Sequence, residues 1–128
     1  MKLGYTIIYV ENVIKTIEFY QKAFGLKQHF MHESGQYAEC ETGHTVLAFA
    51  QEDFVSSNGK VFKRNRLKDP APAFEIAFLT NDVPAAFKKA IAVGATEVAK
   101  PQQMPWGQTV ASVRDLNGII VELCTPIE

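Results

Sequence analysis

Two hydrophobic rhythms alternate along this chain, and the second half repeats the order of the first. A period of two runs through residues 4–10, 27–33, 36–42 and 45–51, then through 73–80, 96–99, 108–114 and 119–124, which predicts eight strands. A helical period covers 13–24, where Val13, Ile17, Tyr20 and Phe24 form one apolar stripe, and 83–93, where Val83, Phe87, Ala90 and Ile91 do the same. Asn12 and Asp82 precede these helices as caps, Gly25 and Gly94 follow them, and Pro84 stands near a first helical position, where its missing N–H costs nothing. Ser34-Gly35 and Asp115 to Gly118 mark hairpin turns. Residues 5–13 align with 75–83, and 45–49 with 119–123. Each half therefore reads strand, helix, three strands. The expected fold is α+β: two βαβββ modules, at 1–51 and 73–128, forming one pseudo-symmetric domain with a cup-shaped mixed sheet and helices on its outer face.

The connection at 52–72 has no clear periodicity and carries Lys60, Lys63, Arg64, Arg66 and Lys68 among Gly59, Pro70 and Pro72. Two readings stay open: a solvated linker, or a mobile flap that draws an anionic ligand over the cleft. Phe54, Val55 and Phe62 suggest that part of it packs down through a short helix.

Alternation divides the strands into two rows. Ile8, Val10, Leu47, Phe49, Ile76, Phe78, Val121 and Leu123 are large and apolar, suited to packing under helices. The other row holds Tyr5, Ile7, Tyr9, Val46, Ala48, Ala50, Glu75, Ala77, Leu79, Ile120, Glu122 and Cys124, which is smaller and more polar. No helix remains to cover it, so this row lines a ligand site. Glu75 and Glu122 both fall on it. A single glutamate there would read as a solvated rim residue. Two close carboxylates repel, and such a pair holds a proton or recruits a cation: a metal, an Arg side chain or the cationic end of a ligand.

The bulk properties exclude several classes. With 128 residues the chain is one domain that buries about two-thirds of its unfolded surface. Thirteen basic against 14 acidic residues leave no basic excess for nucleic acid. No apolar run approaches a membrane span, and the first strand starts too early to leave room for a signal peptide. Cys40 and Cys124 lack metal-motif spacing and fit a reducing compartment, so a cytoplasmic location is expected.

Val10-Glu11-Asn12, the run from Phe19 to Leu26 (FYQKAFGL) and the run from Asp115 to Leu123 (DLNGIIVEL) carry a resemblance that spans nearly the whole chain. The chain resembles the vicinal oxygen chelate superfamily, which groups glyoxalase I, bleomycin-resistance proteins and extradiol dioxygenases. These patterns are specific for the fold and not for a reaction. The resemblance implies four metal-binding positions, which fall here on Tyr5, Ala48, Glu75 and Glu122. Glyoxalase-like members place His or Gln, Glu, His and Glu there, so only Glu122 keeps the expected residue. A tight Ni or Zn site is therefore not expected, and Glu75 with Glu122 would at most hold Mg or Mn weakly. No other cofactor is expected. The resemblance also sets the loop of Pro105-Trp106-Gly107-Gln108 at the border of the ligand pocket, where the Trp106 indole could stack on a planar or cationic ligand. A buried structural tryptophan is an equal alternative.

His29, His32 and His44 read as edge or surface histidines, since three-residue spacing on a strand cannot chelate. Arg114 is expected to pair locally with Asp115. The leading functional expectation is a small-molecule-binding protein of the bleomycin-resistance type, with Tyr5, Ile7, Tyr9, Ala48, Ala50, Glu75, Ala77, Trp106, Ile120 and Glu122 lining the site. The competing one is a lyase or isomerase of the same superfamily, with Glu122 or Glu75 as general base and Tyr5 steadying an oxyanion. True glyoxalase I activity is disfavoured by the incomplete ligand set, and a pure interaction module leaves the open row without a purpose. The resemblance also implies a homodimer whose modules pair across subunits.

Overall fold

Residues 1–127 are described by a computed structural model. The chain divides into two compact units, Met1–Asn65 and a second that begins at Arg66. The first contains β1 (Tyr5–Val10), α1 (Val13–Phe24), β2 (Lys27–Met31), β3 (Tyr37–Glu41), β4 (Val46–Gln51) and α2 (Glu52–Ser57). The second contains β5 (Glu75–Leu79), α3 (Val83–Val93), β6 (Thr96–Gln103), β7 (Thr109–Arg114) and β8 (Ile120–Cys124). Each unit forms a four-stranded mixed sheet, in the orders β1-β4-β3-β2 and β5-β8-β7-β6. The orders correspond strand for strand, and in each the first strand pairs in parallel with the last while the others run antiparallel. The α+β reading with repeated βαβββ modules is thus the observed architecture.

Local chemistry sets the helix ends. The side chains of Asn12 and Asp82 accept the backbone N–H of Lys15 and Ala85, at 3.0 and 3.1 Å. At the other end of α1, Gly25 takes φ of 70°, and its N–H and that of Leu26 close back on the carbonyls of Gln21 and Tyr20.

The core lies between each helix and the large apolar row of its sheet. In the first unit Tyr20 of α1 is fully buried, with its ring 4.8 Å from that of Phe49 on β4. Ile8, Val10, Ile17 and Leu47 are buried as well, and each fully buried large side chain contributes roughly 1.5–3 kcal/mol. In the second unit Val83 and Ala90 of α3 are buried, as are Val113, Val121 and Leu123 of the sheet. Ile76 and Phe78 of β5 are only half-buried.

The β6 strand and Arg114 depart from the sequence expectation. The sixth strand, expected at 96–99, runs through Pro101 to Gln103. An edge strand can carry a proline, and the register shifts twice between Glu97 and Gln102 to accommodate it. In the connecting segment the short helix that Phe54, Val55 and Phe62 suggested is present. The segment opens with α2, whose Val55 is buried, and Asn65 then donates to the Tyr9 carbonyl at 2.9 Å. Past the unit boundary, Arg114 of β7 anchors residues 66–69. Its guanidinium donates to the carbonyls of Gly118, Leu67 and Asp69 at 2.9, 3.0 and 2.7 Å. This corrects the expected pairing with Asp115, whose carboxylate instead accepts the backbone N–H of Asn117 and Ile119 inside the turn. Gly118 is required there, since its φ is 88° and a Cβ would stand 2.9 Å from the Arg66 carbonyl oxygen and overlap the Arg114 guanidinium.

Candidate functional site

The face of each sheet turned away from its helix carries the predicted open row. In the first unit Tyr5, Ile7 and Tyr9 line β1, opposite Val46, Ala48 and Ala50 of β4 in register. Tyr5 and Ile7 are exposed, whereas Ala48 and Ala50 are buried between the larger residues of β1 and β3. The structure adds two residues to this face that sequence reasoning missed. Glu39 lies in register with Ala48, and Tyr37 with Ala50. The Tyr37 hydroxyl donates to Glu39 Oε2 at 2.7 Å. Burial, that hydrogen bond and the charge of Glu39 push the Tyr37 hydroxyl far above the usual tyrosine range, and Tyr5 adds to the effect. Tyr37 is therefore a neutral donor, and Tyr5, Tyr37 and Glu39 form one electrostatic group. Alternation along 36–42 carried the signal for this pair, since Tyr37 and Glu39 share the parity opposite to the buried Ala38 and Cys40.

Residues 52–65 border the same unit. Phe62 packs on Tyr9 with ring centroids 4.8 Å apart, and Lys60 Nζ lies 5.9 Å above the Tyr9 ring. Ser56, Lys60, Phe62 and Arg64 line a pocket of about 200 Å³. Arg64 is committed to Asp53 at 2.7 Å and to the buried Glu52 at 3.4 Å, which neutralises one of the basic residues read from the sequence.

The second unit holds the expected carboxylates. Glu75 on β5 is in register with Ile120, and Ala77 with Glu122 on β8, so the two glutamates are diagonal neighbours on adjacent strands. Such neighbours lie about 7–8 Å apart at the backbone, within electrostatic reach. Glu75 is exposed and Glu122 half-buried. Burial, and then the charge of Glu75, raise the Glu122 carboxyl above its ordinary range, while a hydrogen bond from Cys124 acts in the opposite sense. The Cys124 thiol also lies 3.8 Å from the Phe78 carbonyl, and burial and Glu122 raise it in turn. Burial alone pushes Cys40 up to about 11, so neither thiol is activated as a nucleophile.

Trp106 stands apart from these carboxylates. Its exposed indole donates to Gln108 Oε1 at 2.8 Å, and Gln108 donates to the Thr125 carbonyl at 2.7 Å. With Asn81, Thr109 and Pro126 they line a groove of about 450 Å³. This groove opens past the end of β8, whereas Glu75 is in register with the first residue of that strand. The three histidines take no part: His29 sits at the irregularity in β2, His32 Nδ1 contacts Ser34 Oγ at 2.8 Å, and His44 is exposed.

The residues present do not fit a four-ligand metal centre. Within the first unit the relevant positions offer only the Tyr5 phenol and the methyl of buried Ala48, and the second unit offers two carboxylates. No group of three His, Cys, Asp or Glu side chains suited to a metal gathers among the described residues. No helix among them is long and apolar enough to cross a membrane.

Comparison with known proteins agrees with the fold. Residues 3–128 match the family model described as a glyoxalase-like domain. Comparison with curated protein sequences yields no match. Among solved structures, a glyoxalase-related enzyme from Fulvimarina pelagi superposes with a TM-score of 0.84 at 16% identity, covering 98% of this chain and 88% of that one. A glyoxalase/bleomycin resistance protein/dioxygenase family enzyme from Burkholderia phytofirmans PsJN gives 0.76 at 18% identity, with 98% of both chains covered. A member of the same superfamily from Sphaerobacter thermophilus gives 0.74 at 21% identity, again with 98% of both covered. At these identities the structural likeness speaks to the fold alone, and the family model carries the assignment. The chain belongs to the glyoxalase-like domain family, within the vicinal oxygen chelate superfamily.

Proposed function

We propose that the protein binds an organic small molecule on the open faces of its sheets, in the manner of bleomycin-resistance-type members of its superfamily and without a tightly held metal. The observation that carries this reading is the Glu75–Glu122 pair. Both lie on the face that no helix covers, burial and then the charge of Glu75 raise the Glu122 carboxyl above its ordinary range, and no basic side chain among the described residues forms an ion pair with either. Such a pair favours a ligand that brings positive charge or hydrogen-bond donors. The ligand is bound in a non-nucleic-acid, non-membrane setting, and the active form is a homodimer.

A second reading is supported by the same carboxyl. A glutamate whose pKa is raised toward neutrality suits proton removal beside a carbonyl, so Glu122 would serve as general base in a lyase or isomerase, with Mg or Mn held weakly if at all. One experiment addresses both. Metal content is measured on protein purified without chelator, and benzamidine is titrated by ¹H–¹⁵N NMR, for the parent and for Glu75→Gln/Glu122→Gln. Saturable benzamidine binding that weakens at least tenfold in the double variant supports the binding reading. Unchanged affinity overturns the role of the carboxylates. Stoichiometric Mg or Mn in the parent, lost in the variant, moves the assignment to the metal-assisted reading.

A further inference from the structure

The first unit lacks a carboxylate where the second has Glu122, because the repeat-equivalent position is Ala48. Sheet register shows what stands beside that alanine. On β3, Glu39 is the direct partner of Ala48, just as Ser112 on β7 is the direct partner of Glu122. Directly paired residues point to the same face about 5 Å apart. The first unit therefore presents a carboxylate on the equivalent patch of its sheet, from the neighbouring strand.

The surroundings of Glu39 are aromatic. Phe30 on β2 is its partner on the other side, Tyr37 precedes it on the same face, and the Phe30 and Tyr37 rings have centroids 6.3 Å apart. Tyr5 belongs to the same electrostatic group. Phe30 and Tyr5 are each about half exposed, at 45% and 55%. The carboxylate itself is half-buried, and Tyr37 is its one hydrogen-bond partner among the described residues, engaging Oε2 and leaving Oε1 free to accept. A glutamate in the interior of a strand is unfavourable on propensity alone. Fixing it with a half-buried phenol, between rings and beside alanines, produces a directed acceptor in an aromatic setting. Ring faces and a carboxylate together attract a substituted ammonium, through cation–π contact and a charge-assisted N–H bond.

We infer that the open face of the first unit is a site for an organic ammonium group, with Glu39 as its acceptor and Phe30, Tyr37 and Tyr5 as its aromatic walls. This deepens the ligand-binding reading above and rests on it, but does not depend on Glu75 or Glu122.

The test is a ¹H–¹⁵N NMR titration with benzyldimethylammonium, with benzyl alcohol as the neutral control. Saturable shifts confined to β1–β4, absent with the alcohol, and weakened at least tenfold in Glu39→Gln are expected. Tyr37→Phe, which keeps the ring but removes the hydrogen bond that directs Glu39, should weaken binding severalfold while leaving it saturable. Phe30→Ala truncates an exposed ring, leaves the core untouched and should weaken binding severalfold, which keeps the test valid if Glu39→Gln folds poorly. Parent-like binding in both Glu39→Gln and Phe30→Ala, shifts centred on β5–β8, equal binding of the alcohol, or no saturable shift each overturn the inference. Loss of the Glu75/Glu122 effect on benzamidine with the Glu39 effect retained removes the earlier reading of the second unit only. The converse removes this one only.

Discussion

The two units place a carboxylate on the open face of the same pair of strands, but on opposite members of the pair. In the first unit Glu39 on β3 faces Ala48 on β4, and in the second Ser112 on β7 faces Glu122 on β8. The environments differ accordingly. Glu39 accepts a 2.7 Å hydrogen bond from Tyr37, whereas Glu122 is flanked by a second acid and carries a raised pKa. Topology thus reserves a patch of the sheet for charge without reserving a strand. Partners in a ladder are close enough for a charged group to move across it while the patch keeps its character.

The largest test of that exchange is Ala48→Glu. Ala48 is fully buried, so the new side chain must either displace its neighbours or bury a charge directly opposite Glu39. A loss of about 3 kcal/mol is expected by denaturant unfolding, from overpacking and like-charge pairing together. Adding Glu39→Ser to it recreates the arrangement of the second unit and should recover about half of that loss, a coupling readable in a double-mutant cycle. If the two changes are simply additive, the patch is not interchangeable.

The repeat itself was legible in the sequence because its signals are local: Asn12 and Asp82 cap, Gly25 and Gly94 stop, and alternation marks the strands. Glu75 and Glu122 were legible for the same reason, each standing out in an otherwise apolar strand. Glu39 was not. Its significance depends on which residue of β4 it meets, and that register is fixed by the turn between β3 and β4, which a one-strand pattern does not reveal. The β6 extension past Pro101 was hidden likewise, since a proline reads as a strand end unless the strand is known to lie at an edge. Arg114 was misread because its partners are backbone carbonyls, which leave no trace in the sequence.

Arg114 also marks a second difference between the units. Its repeat equivalent is Glu41, which is exposed and makes no comparable hydrogen bond among the described residues, whereas Arg114 ties residues 67 and 69 to the β7–β8 turn. Arg114→Ala removes charge-assisted bonds to three carbonyls and should cost about 2 kcal/mol of stability. Hydrogen exchange should accelerate at Asp69, whose N–H is bonded to the Arg66 carbonyl within the anchored turn. Glu41→Ala should stay within about 0.5 kcal/mol of the parent. Equal effects from the two substitutions would mean that the anchoring contributes nothing specific to the second unit.

The smallest expected effect has the opposite sign. Because Glu122 has a higher pKa in the folded protein than in the unfolded chain, the folded state binds the extra proton in the interval between the two values. Its contribution to stability therefore falls as pH rises from the unfolded value through the raised one, and at neutral pH the ionised carboxylate is a net cost. Glu122→Gln removes that cost. The melting temperature at pH 7 should rise by about 2–4 °C, corresponding to under about 1 kcal/mol for a partly exposed group. Toward pH 4 the variant should lose this advantage, since the parent is then protonated as well. Glu39 provides the contrast: its carboxylate accepts the Tyr37 hydroxyl, so Glu39→Gln should bring no such gain at pH 7. A gain in both variants would place the cost in carboxylates on the open faces generally. A gain in neither would mean that Glu122 pays no penalty for its position, and the argument that its face awaits a positive partner would lose its energetic footing.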